Sequence, residues 1–269
     1  MRIAVVSQKG GVGKTTTAVH LAAGLAMAGH RVLLVDIDAQ GNASSTLRAP
    51  RGDRSPGTAE VLFDRVPVAQ AVRPVPDIEG LWLMPGAPDL AKAPDRLGGV
   101  KFREQRLRKA LEAYQDADHV VIDCPPHLGI ETVNAMLAAD ALLVTLRPSK
   151  YTMEGLADLV AELEDLREYG HEPHVAYVVT MLPHNERSPR EYAQDARDAF
   201  GDQVCEAVIR RAAAFEEAAS HDKTLFEYRP DHEGAADYAR LVVELAARWE
   251  LNTPATTSAA GAPAAAERA

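Results

Sequence analysis

A glycine-rich loop lies between a short apolar run and a helical pattern at the start of the chain. Residues 2–7, RIAVVS, are mostly apolar and β-branched, which predicts a strand, and the glycines of KGGVGKTT follow almost at once. Over 15–28 apolar residues recur at helical spacing, and Gly29 is placed to end the helix. A strand, a tight glycine loop and a helix in this order predict the first unit of an α/β fold.

Further apolar runs repeat this pattern along the chain. They cover 31–38, 119–126, 141–146 and 174–181, and helical patterns are predicted at about 131–138, 152–169, 188–200 and 232–249. Strands that are apolar on both faces belong in a parallel sheet that helices cover on both sides. The sequence therefore predicts an α/β fold with a doubly wound, mostly parallel sheet. We interpret the Pro- and Gly-rich segment 49–100 as loops with short helices.

Length and composition limit the domain organisation. A chain of 269 residues with 46% hydrophobic residues can bury a full core as one large domain. We expect a single domain over 1–250 and a disordered Ala-, Pro- and Thr-rich tail over 251–269, because the tail lacks periodicity and large apolar side chains. No run approaches the ~20 apolar residues of a membrane span, and the start is not a signal peptide. We therefore expect a cytoplasmic protein with no membrane partner.

Charge and cysteine content exclude several function classes. A formal charge of −10 argues against a protein that coats nucleic acid over its whole surface, so any DNA contact must be a local patch. Cys124 and Cys205 are far apart in sequence and form neither a metal-ligand spacing nor a disulfide framework. We interpret both as core thiols.

The glycine-rich stretch from Lys9 to Thr15 is similar to phosphate-binding loops of the GxxxxGK[ST] type and supplies their lysine as Lys14. Glycines remove Cβ obstruction and allow positive φ, so successive backbone N–H groups can turn inward around a triphosphate. The helix that follows adds the partial positive charge of its N-terminus. The predicted backbone cradle consists of Gly10, Gly11, Val12, Gly13 and Lys14.

Side chains of the same loop have predicted contacts with the nucleotide. Lys14 would reach the β- and γ-phosphates, the Thr15 hydroxyl would bind Mg²⁺, and Thr16 would hydrogen-bond the α-phosphate. The loop needs only this one lysine, so Lys9 is surplus to its own site.

Carboxylates at two strand ends belong to the same predicted site. Asp123 ends the apolar run VVID, where it would hold Mg²⁺ through water at the carboxyl edge of the sheet. Asp38 ends LLVDID, where it would approach the metal and orient or deprotonate the water that attacks the γ-phosphate. The alternative for Asp36 and Asp38 is that strand-end aspartates cap the next turn.

The segments KGGVGKTT, LLVDIDAQGNAS, VVIDCPPHLG and LFEYRPDHEGAADYARL resemble the ParA/Soj-type partition ATPases of the deviant Walker A family. The resemblance covers about 1–250. It implies a P-loop NTPase that binds ATP and Mg²⁺ and hydrolyses ATP weakly until a ParB-like DNA-bound partner stimulates it. It also implies an ATP-dependent homodimer that binds nucleoid double-stranded DNA nonspecifically and segregates chromosome or plasmid DNA. In that family the first lysine, here Lys9, crosses the nucleotide-sandwich dimer to the partner's phosphates. Otherwise Lys9 is a solvated loop lysine.

Two stretches depart from the family pattern. Where the family's adenine-contacting loop often carries a proline or arginine and then an asparagine, this chain has Arg210 and Ala212. Base recognition there must use backbone atoms or other side chains. A basic residue that helps bind DNA in the family is here Ala214, so the usual DNA contact is in doubt.

Other arginines are candidates for a DNA patch. Arg190 and Arg197 are seven residues apart and share a face of the helix at 188–200, with Arg187 just before it, and Arg211 completes the candidates. The same helix also reads as an ordinary solvated face, because Glu191, Asp195 and Asp198 line a neighbouring stripe. The run KFREQRLRK, 101–109, is the most basic of the chain and has the same two interpretations.

Alternative functions within the wider family make different demands. A MinD-like positioning ATPase would end in a basic amphipathic helix, and residues 258–269 have neither bulky apolar residues nor a lysine-rich face. An iron–sulfur role would need paired cysteines at a dimer axis, whereas Cys124 lies within the VVIDCPP segment. Positioning of some other cargo over the nucleoid remains an open variant. We expect no sequence-specific operator binding through an N-terminal helix-turn-helix, because residues 1–7 leave no room for one.

Overall fold

The protein is a single parallel sheet with helices on both faces. Its computed structural model describes residues 1–7, 9–147, 157–182 and 189–251. The strands are β1 (Arg2–Val6), β2 (Val32–Asp36), β3 (Arg73–Pro74), β4 (Leu81–Met84), β5 (His119–Asp123), β6 (Ala141–Leu146), β7 (His174–Leu182) and β8 (Val204–Arg210). They form one sheet in the order β3-β4-β2-β5-β1-β6-β7-β8.

The pairing of the strands confirms the predicted fold class. Every pair is parallel except β3 with β4, which is antiparallel at one edge. The central strand β1 lies between β5 and β6, with Ile3 opposite Val121 on one side and Ala141 on the other. All residues of β2, β5 and β6 are buried. Because neither face of these strands meets water, their sequences are apolar without alternation.

The helices lie between the strands and after the last one. They are α1 (Lys14–Met27), α2 (Asn42–Thr46), α3 (Thr58–Asp64), α4 (Val68–Ala71), α5 (Ala93–Arg96), α6 (Arg106–Glu112), α7 (Ile130–Ala138), α8 (Ala157–Glu168), α9 (Pro189–Phe200), α10 (Ala213–Ser220), α11 (Leu225–Tyr228) and α12 (Glu233–Arg248). Short 3₁₀ turns cover Pro88–Lys92, Arg103–Gln105 and Gly201–Gln203. No helix in the described residues combines the length and apolar composition needed to cross a bilayer.

The structure corrects the sequence prediction at three strands. The segment 49–100, which we interpreted as loops with short helices, also contains β3 and β4. Strand β4 is the four-residue run LWLM, too short for its periodicity to separate a strand from a buried turn. Strand β8 was not predicted because it is the other edge of the sheet and carries the exposed Glu206 and the half-buried Arg210 among its apolar residues. The predicted strands 31–38 and 119–126 end earlier, at Asp36 and Asp123.

The core has two layers, one on each face of the sheet. Ile3 and Val5 of β1 pack into the layer of α1 and α12, and Ala4 and Val6 pack into the layer of α6 and α7. Helices α1 and α12 approach closely at Gly24, where a Cβ would lie 2.7 Å from Val242 Cγ2. The free thiols Cys124 and Cys205 are both buried, which confirms their interpretation as core residues.

A buried pair of histidines closes the amino edge of the sheet. His119 Nε2 lies 3.2 Å from His30 Nδ1, and the amino group of Met1 donates to the Asp118 carbonyl at 3.0 Å. Burial lowers the pKa of both rings, and for His119, to which the charged N-terminus also contributes, the value falls to about 4. Both rings are therefore neutral in the folded protein near pH 7.

This histidine pair predicts acid-sensitive stability. A histidine whose pKa is lowered by folding contributes fully to stability at a pH above its pKa in the unfolded state, near 6.5. That contribution is lost as the pH falls towards its folded pKa of about 4. Between pH 7 and pH 5, His119 alone is expected to cost about 1–2 kcal/mol of unfolding free energy. Urea unfolding at both pH values should show a smaller difference for His119→Gln than for the wild type. The exposed His174, at the same edge, supplies the control His174→Gln, which should keep the wild-type difference. An unchanged difference in His119→Gln would show that the ring is not held neutral.

Candidate functional site

The loop between β1 and α1 forms a backbone cradle at the carboxyl edge of the sheet. Gly11 and Gly13 have φ values of 70° and 79°, a left-handed conformation that side chains rarely adopt. Helix α1 begins directly after Gly13, at Lys14, and its first turn contains no acidic residue. The free N–H groups and the positive end of the helix dipole therefore face the loop, and no acidic side chain in the first turn offsets their positive potential.

A threonine on strand β7 holds this loop in place. The Thr180 hydroxyl in β7 donates to the Val12 carbonyl at 2.7 Å. This side chain is buried, and the sequence analysis did not identify it as part of the site. The only signal in the sequence is a hydroxyl within the otherwise apolar run YVVTML. The contact links the loop to a strand two positions away in the sheet.

Lys14 is a buried cation at the base of the cradle. Its side chain is 7% exposed, and within the described part of the chain no carboxylate lies within ion-pair distance of its ammonium group. Burial lowers the pKa of Lys14, while the more distant charges of Asp123 and Asp38 act in the opposite direction. A buried ammonium group without a close partner is unfavourable, and an anion bound in the loop would compensate it.

Asp123 is the opposite case, a buried carboxylate at the end of β5. It is fully buried, and neither of its oxygens has a hydrogen-bond partner of ordinary geometry among the residues that the structure describes. Burial raises the pKa of Asp123 well above its usual value and Asp36 adds to the effect, while Thr15 and Lys14 oppose it. Orphaned carboxylate oxygens beside a hydroxyl are the hard ligands that Mg²⁺ prefers. The residues present therefore fit a magnesium ion between Thr15 and Asp123.

The two aspartates at the end of β2 differ in their contacts. Asp36 Oδ2 accepts hydrogen bonds from the Ser44 hydroxyl at 2.6 Å and the Ser44 backbone N–H at 2.9 Å, and Oδ1 accepts one from the Asp38 N–H at 3.2 Å. Burial raises the pKa of Asp36 to about 6 despite these donors. Asp36 therefore organises the following turn, as the turn-capping interpretation proposed. Asp38 accepts one hydrogen bond, from the Gln40 N–H at 2.9 Å through Oδ1.

Polar contacts of Ser44, Gly86 and Arg54 also support this turn, and they were not predicted from the sequence. The Gly86 N–H donates to the Ser44 hydroxyl at 2.9 Å, and a Cβ at Gly86 would lie 2.7 Å from Asp36 Oδ1. The buried Arg54 donates to the Ala49 carbonyl at 2.9 Å and the Gly86 carbonyl at 3.2 Å. Only the fold brings these segments together, so no local sequence pattern marks them.

Helix α1 also joins the loop to the C-terminal elements. His20 Nδ1 lies 2.7 Å from the Thr16 carbonyl, and His20 Nε2 accepts a hydrogen bond from the Leu225 N–H at 2.9 Å. Burial lowers the pKa of His20 to about 4, so the ring is neutral, as this pattern of one donor and one acceptor requires. Tyr238 stacks on His20 with ring centroids 4.7 Å apart, and its hydroxyl lies 3.0 Å from the Thr17 hydroxyl.

Lys9 occupies an exposed position at the entrance of the loop. The Ser7 hydroxyl donates to the Lys9 carbonyl at 3.0 Å, which fixes the backbone where strand β1 turns into the loop. Lys9 is thus on the outer surface of the cradle, whereas Lys14 is inside it.

The predicted adenine positions lie at the end of the edge strand β8. Arg210 is bound to Asp237, with Nε 2.6 Å from Oδ2, and also pairs with Glu233. Its guanidinium is therefore engaged in holding β8 to α12. Ala212 is half-buried and lies at the start of α10. Both residues are at the carboxyl edge, but the structure gives the Arg210 side chain a structural partner.

The candidate DNA-binding arginines have different environments. Arg187 and the side chain of Arg190 lie outside the described residues. Arg197 pairs with Glu206 at 2.8 Å. Arg211 is exposed, and its backbone N–H donates to the Leu182 carbonyl at 2.9 Å. No ion pair of Arg211 is present among the described residues.

Comparison with known proteins places the chain in a family. A family model described as an AAA domain matches residues 1–175. The sporulation initiation inhibitor protein Soj of Bacillus subtilis is 38% identical over 248 residues, which are 91% of this chain and 98% of the relative. The chromosome partitioning protein ParA of Caulobacter vibrioides is 39% identical over 252 residues, 91% and 94% of the two chains. The chromosome-partitioning ATPase Soj of Thermus thermophilus is 41% identical over 254 residues, 92% and 96% of the two chains.

Solved structures share the fold. Cobyrinic acid a,c-diamide synthase from Mycobacterium smegmatis, with bound ADP and magnesium, has a TM-score of 0.80 at 28% identity, covering 93% of this chain and 95% of that one. The septum site-determining protein MinD of Pyrococcus horikoshii, complexed with Mg-ADP, has a TM-score of 0.73, covering 91% of this chain and 95% of that one. At 24% identity the second likeness concerns the fold alone.

The parallel sheet, the glycine loop and the buried Lys14 and Asp123 at its carboxyl edge define a P-loop ATPase. Its relatives over more than nine-tenths of the chain include proteins named for chromosome partitioning. The chain belongs to the ParA/Soj family of partition ATPases.

The orphaned carboxylate predicts how metal and nucleotide binding are coupled. Asp123→Asn is expected to lose most of the gain in ADP affinity that Mg²⁺ provides, about tenfold or more, because the predicted role of this carboxylate is to hold the metal through water and the substitution removes its charge. Titration of a fluorescent ADP analogue with Mg²⁺ and with EDTA measures this gain.

Two variants make this test specific. Asp118→Asn changes an acidic residue just before the other end of the same strand and should keep the full Mg²⁺ effect. Lys14→Ala should lose binding with and without the metal, because the predicted contact of this buried cation with the phosphates does not depend on Mg²⁺. Full retention of the Mg²⁺ gain in Asp123→Asn would remove this residue from the metal site.

Proposed function

We propose that the chain is a partition-type ATPase that segregates chromosome or plasmid DNA. ATP and Mg²⁺ are the cofactors of its site. The observation that carries the proposal concerns two buried residues at the phosphate loop: within the described residues Lys14 has no ion pair, and neither Asp123 oxygen has a hydrogen-bond partner. A nucleotide with its metal would supply both partners. Membership of the ParA/Soj family supports the same activity.

In this proposal the backbone N–H groups of 10–14 hold the phosphates and Lys14 contacts the β- and γ-phosphates. Thr16 donates to the α-phosphate, and Thr15, Asp123 and Asp38 surround the metal. Bound Mg²⁺ would neutralise phosphate charge during transfer. Asp38 orients the attacking water, since Gln40 N–H binds only one of its carboxylate oxygens and leaves the other for this contact.

Adenine recognition is assigned to the backbone around Arg210 and Ala212. The side chain of Arg210 already binds Asp237 and Glu233, so it fixes the position of this segment rather than contacting the base. The half-buried Ala212 has only backbone polar groups to offer.

The active form is proposed to be an ATP-dependent homodimer. Lys9 is exposed at the mouth of the loop, which suits a lysine that acts on the partner's phosphates better than one that acts in its own site. A second cation near the transferring phosphoryl group stabilises the developing charge, and supplying it in trans makes hydrolysis depend on dimerisation. Weak hydrolysis by the chain alone would then increase when a ParB-like DNA-bound partner acts on the dimer.

The proposed setting is the cytoplasm, where the dimer would bind nonspecific double-stranded DNA of the nucleoid without a membrane partner. Residues 1–250 would form the ATPase domain and 251–269 a disordered tail. Positioning of another cargo by the same ATPase cycle is the alternative within the family.

The position of Lys9 predicts a separation of binding from hydrolysis. Lys9→Ala should bind ATP within about threefold of the wild type, because Lys14 and the backbone cradle remain, yet it should fail to dimerise and should hydrolyse ATP at least about tenfold more slowly. Asp38→Ala should bind ATP and form a trapped dimer. Light scattering with ATP and a phosphate-release assay measure both outcomes, and Lys92→Ala, an exposed lysine elsewhere, is the control.

Mixing the two variants tests action in trans. In a mixed dimer the Lys9→Ala chain keeps Asp38 and receives Lys9 from the Asp38→Ala chain, so one site is complete. Activity should partly return on mixing, provided that one complete site works alone. A Lys9→Ala protein that dimerises and turns over ATP like the wild type would contradict the sandwich dimer while leaving ATP binding in place.

DNA binding is proposed to use Arg211 first among the candidate arginines. It is exposed at the carboxyl edge of the sheet, whereas Arg197 is already paired with Glu206. An exposed guanidinium without a carboxylate partner can neutralise a phosphate without first breaking an ion pair. Arg187, Arg190 and Arg197 remain proposed contributors to the same patch.

The proposed role of Arg211 predicts a measurable change in how DNA affinity depends on salt concentration. Arg211→Ala should weaken binding of the ATP-bound protein to duplex DNA and reduce the slope of log affinity against log salt by about one for each subunit. Arg31→Ala removes an exposed arginine just before the opposite end of the sheet and should leave the slope unchanged. Fluorescence anisotropy at several salt concentrations measures the slope. Equal slopes for Arg211→Ala and the wild type would exclude Arg211 from the contact.

A further inference from the structure

A cavity of about 450 Å³ lies away from the phosphate loop, between the α3–α4 connection and helix α6. Its lining residues come from two segments, one over 61–69 and the other over 101–114. None of the residues assigned to nucleotide binding lines it. The volume is within the range of sites that take small organic ligands.

The charge of this cavity is opposite to that of the protein. Within the described part of the chain its wall carries Arg65, Lys101, Arg106 and Lys109 and no acidic residue, although the whole chain has a formal charge of −10. Among the described residues, none of these four cations forms an ion pair with a carboxylate. A concentration of unpaired positive charge in a concave, partly apolar wall attracts anions.

Arg106 is the least compensated of these cations. The residue as a whole is half-buried, but its Nε and Nη1 atoms are buried and have no hydrogen-bond partner among the described residues. Burial lowers the pKa of Arg106, and the neighbouring charge of Arg65 lowers it further. Guanidinium groups are normally paired when they lose contact with water, because an uncompensated buried charge destabilises the fold. An anion in the cavity would supply the missing partner.

The rest of the wall is apolar and includes strained backbone. Val61 and Val68 are buried, and the ring of Phe102 is 65% exposed with Lys109 Nζ 5.0 Å from its centroid. Phe102 and Arg65 have φ values of 56° and 57°, in the left-handed region that such side chains rarely adopt. Both residues are at helix ends: Arg65 ends α3 and Phe102 precedes the 3₁₀ turn Arg103–Gln105. The ends of these two elements therefore fix the backbone on both sides of the cavity.

We propose that this cavity binds a small organic anion in which a carboxylate, sulfonate or phosphate is attached to an apolar body. The cations of the wall recognise the charged group, with Arg106 as its main partner, and the valines and Phe102 contact the apolar body. A DNA duplex fits these observations less well, because a phosphate backbone gains nothing from buried apolar walls and cannot enter a cavity of this size. The proposal is independent of the proposed partition function.

The test uses a probe that combines an anionic group with an apolar body. The dye 8-anilinonaphthalene-1-sulfonate is titrated into the full chain with saturating Mg-ADP, so that the nucleotide site is occupied. One saturable site is expected, from which octanoate displaces the dye, whereas octanol and acetate do so at least about tenfold less well because each lacks one of the two parts. Arg106→Met should weaken both the dye and octanoate about tenfold or more.

A neighbouring arginine provides the matched control. Arg108 is on the same helix, pairs with Glu112 at 3.0 Å and does not line the cavity, so Arg108→Met should bind the dye like the wild type. Retained Mg-ADP binding by Arg106→Met shows that this variant is folded. Lys101→Gln changes an exposed residue of the wall and should also weaken the dye, which keeps the test valid if Arg106→Met does not fold.

Three results would overturn the proposal. The first is equal dye affinity in the wild type, Arg106→Met and Lys101→Gln. The second is displacement by acetate as well as by octanoate, which would leave only a general anion effect. The third is displacement by a 20-base-pair duplex at lower concentration than octanoate, which would make this surface a nucleic-acid patch instead.

Discussion

The structure depends on how it keeps opposite charges buried but apart at one edge of a parallel sheet. Lys14 and Asp123 are both inside the protein, yet each lacks a close partner in the described chain. Such an arrangement is costly unless a ligand supplies the missing partners. Asp123 ends the buried strand β5 and Lys14 begins α1, so regular secondary structure fixes the backbone of both. In the proposed function a phosphate and its metal would lie between them.

Helix α1 connects this site to the rest of the chain. Its first turn forms the cradle, and its buried face packs on β1 and α12. His20 extends the connection through hydrogen bonds to Thr16 on one side and Leu225 on the other, with Tyr238 stacked on its ring. A change in the position of the phosphate loop would therefore alter the packing of α11 and α12 on α1. This gives the C-terminal motif LFEYRPDHEGAADYARL a physical role as the packing surface of the loop helix.

Three places on this acidic protein present positive charge in different environments. At the loop a single lysine is buried beside carboxylates, which suits a ligand that carries its own metal. At the 61–69 and 101–114 cavity the wall has four cations and no acid, which suits an anion without a metal. At the end of β8 most arginines are already paired, and Arg211 is the exposed exception among the described residues. The three environments would therefore select different kinds of anion.

The sequence by itself determined the sheet, the phosphate loop and the strand-end aspartates, because each is encoded locally by apolar runs, glycines and the lysine–threonine pair within a few residues. Tertiary structure alone decided the rest. The contact of Thr180 with Val12, the support of Asp36 by Ser44 and Gly86, and the pairing of Arg210 with Asp237 join residues far apart in the chain. Strands β4 and β8 were missed because a short run and a polar edge strand have no clear periodicity. The basic run at 101–109 showed its charge in the sequence, but only folding against 61–69 made it one wall of a cavity.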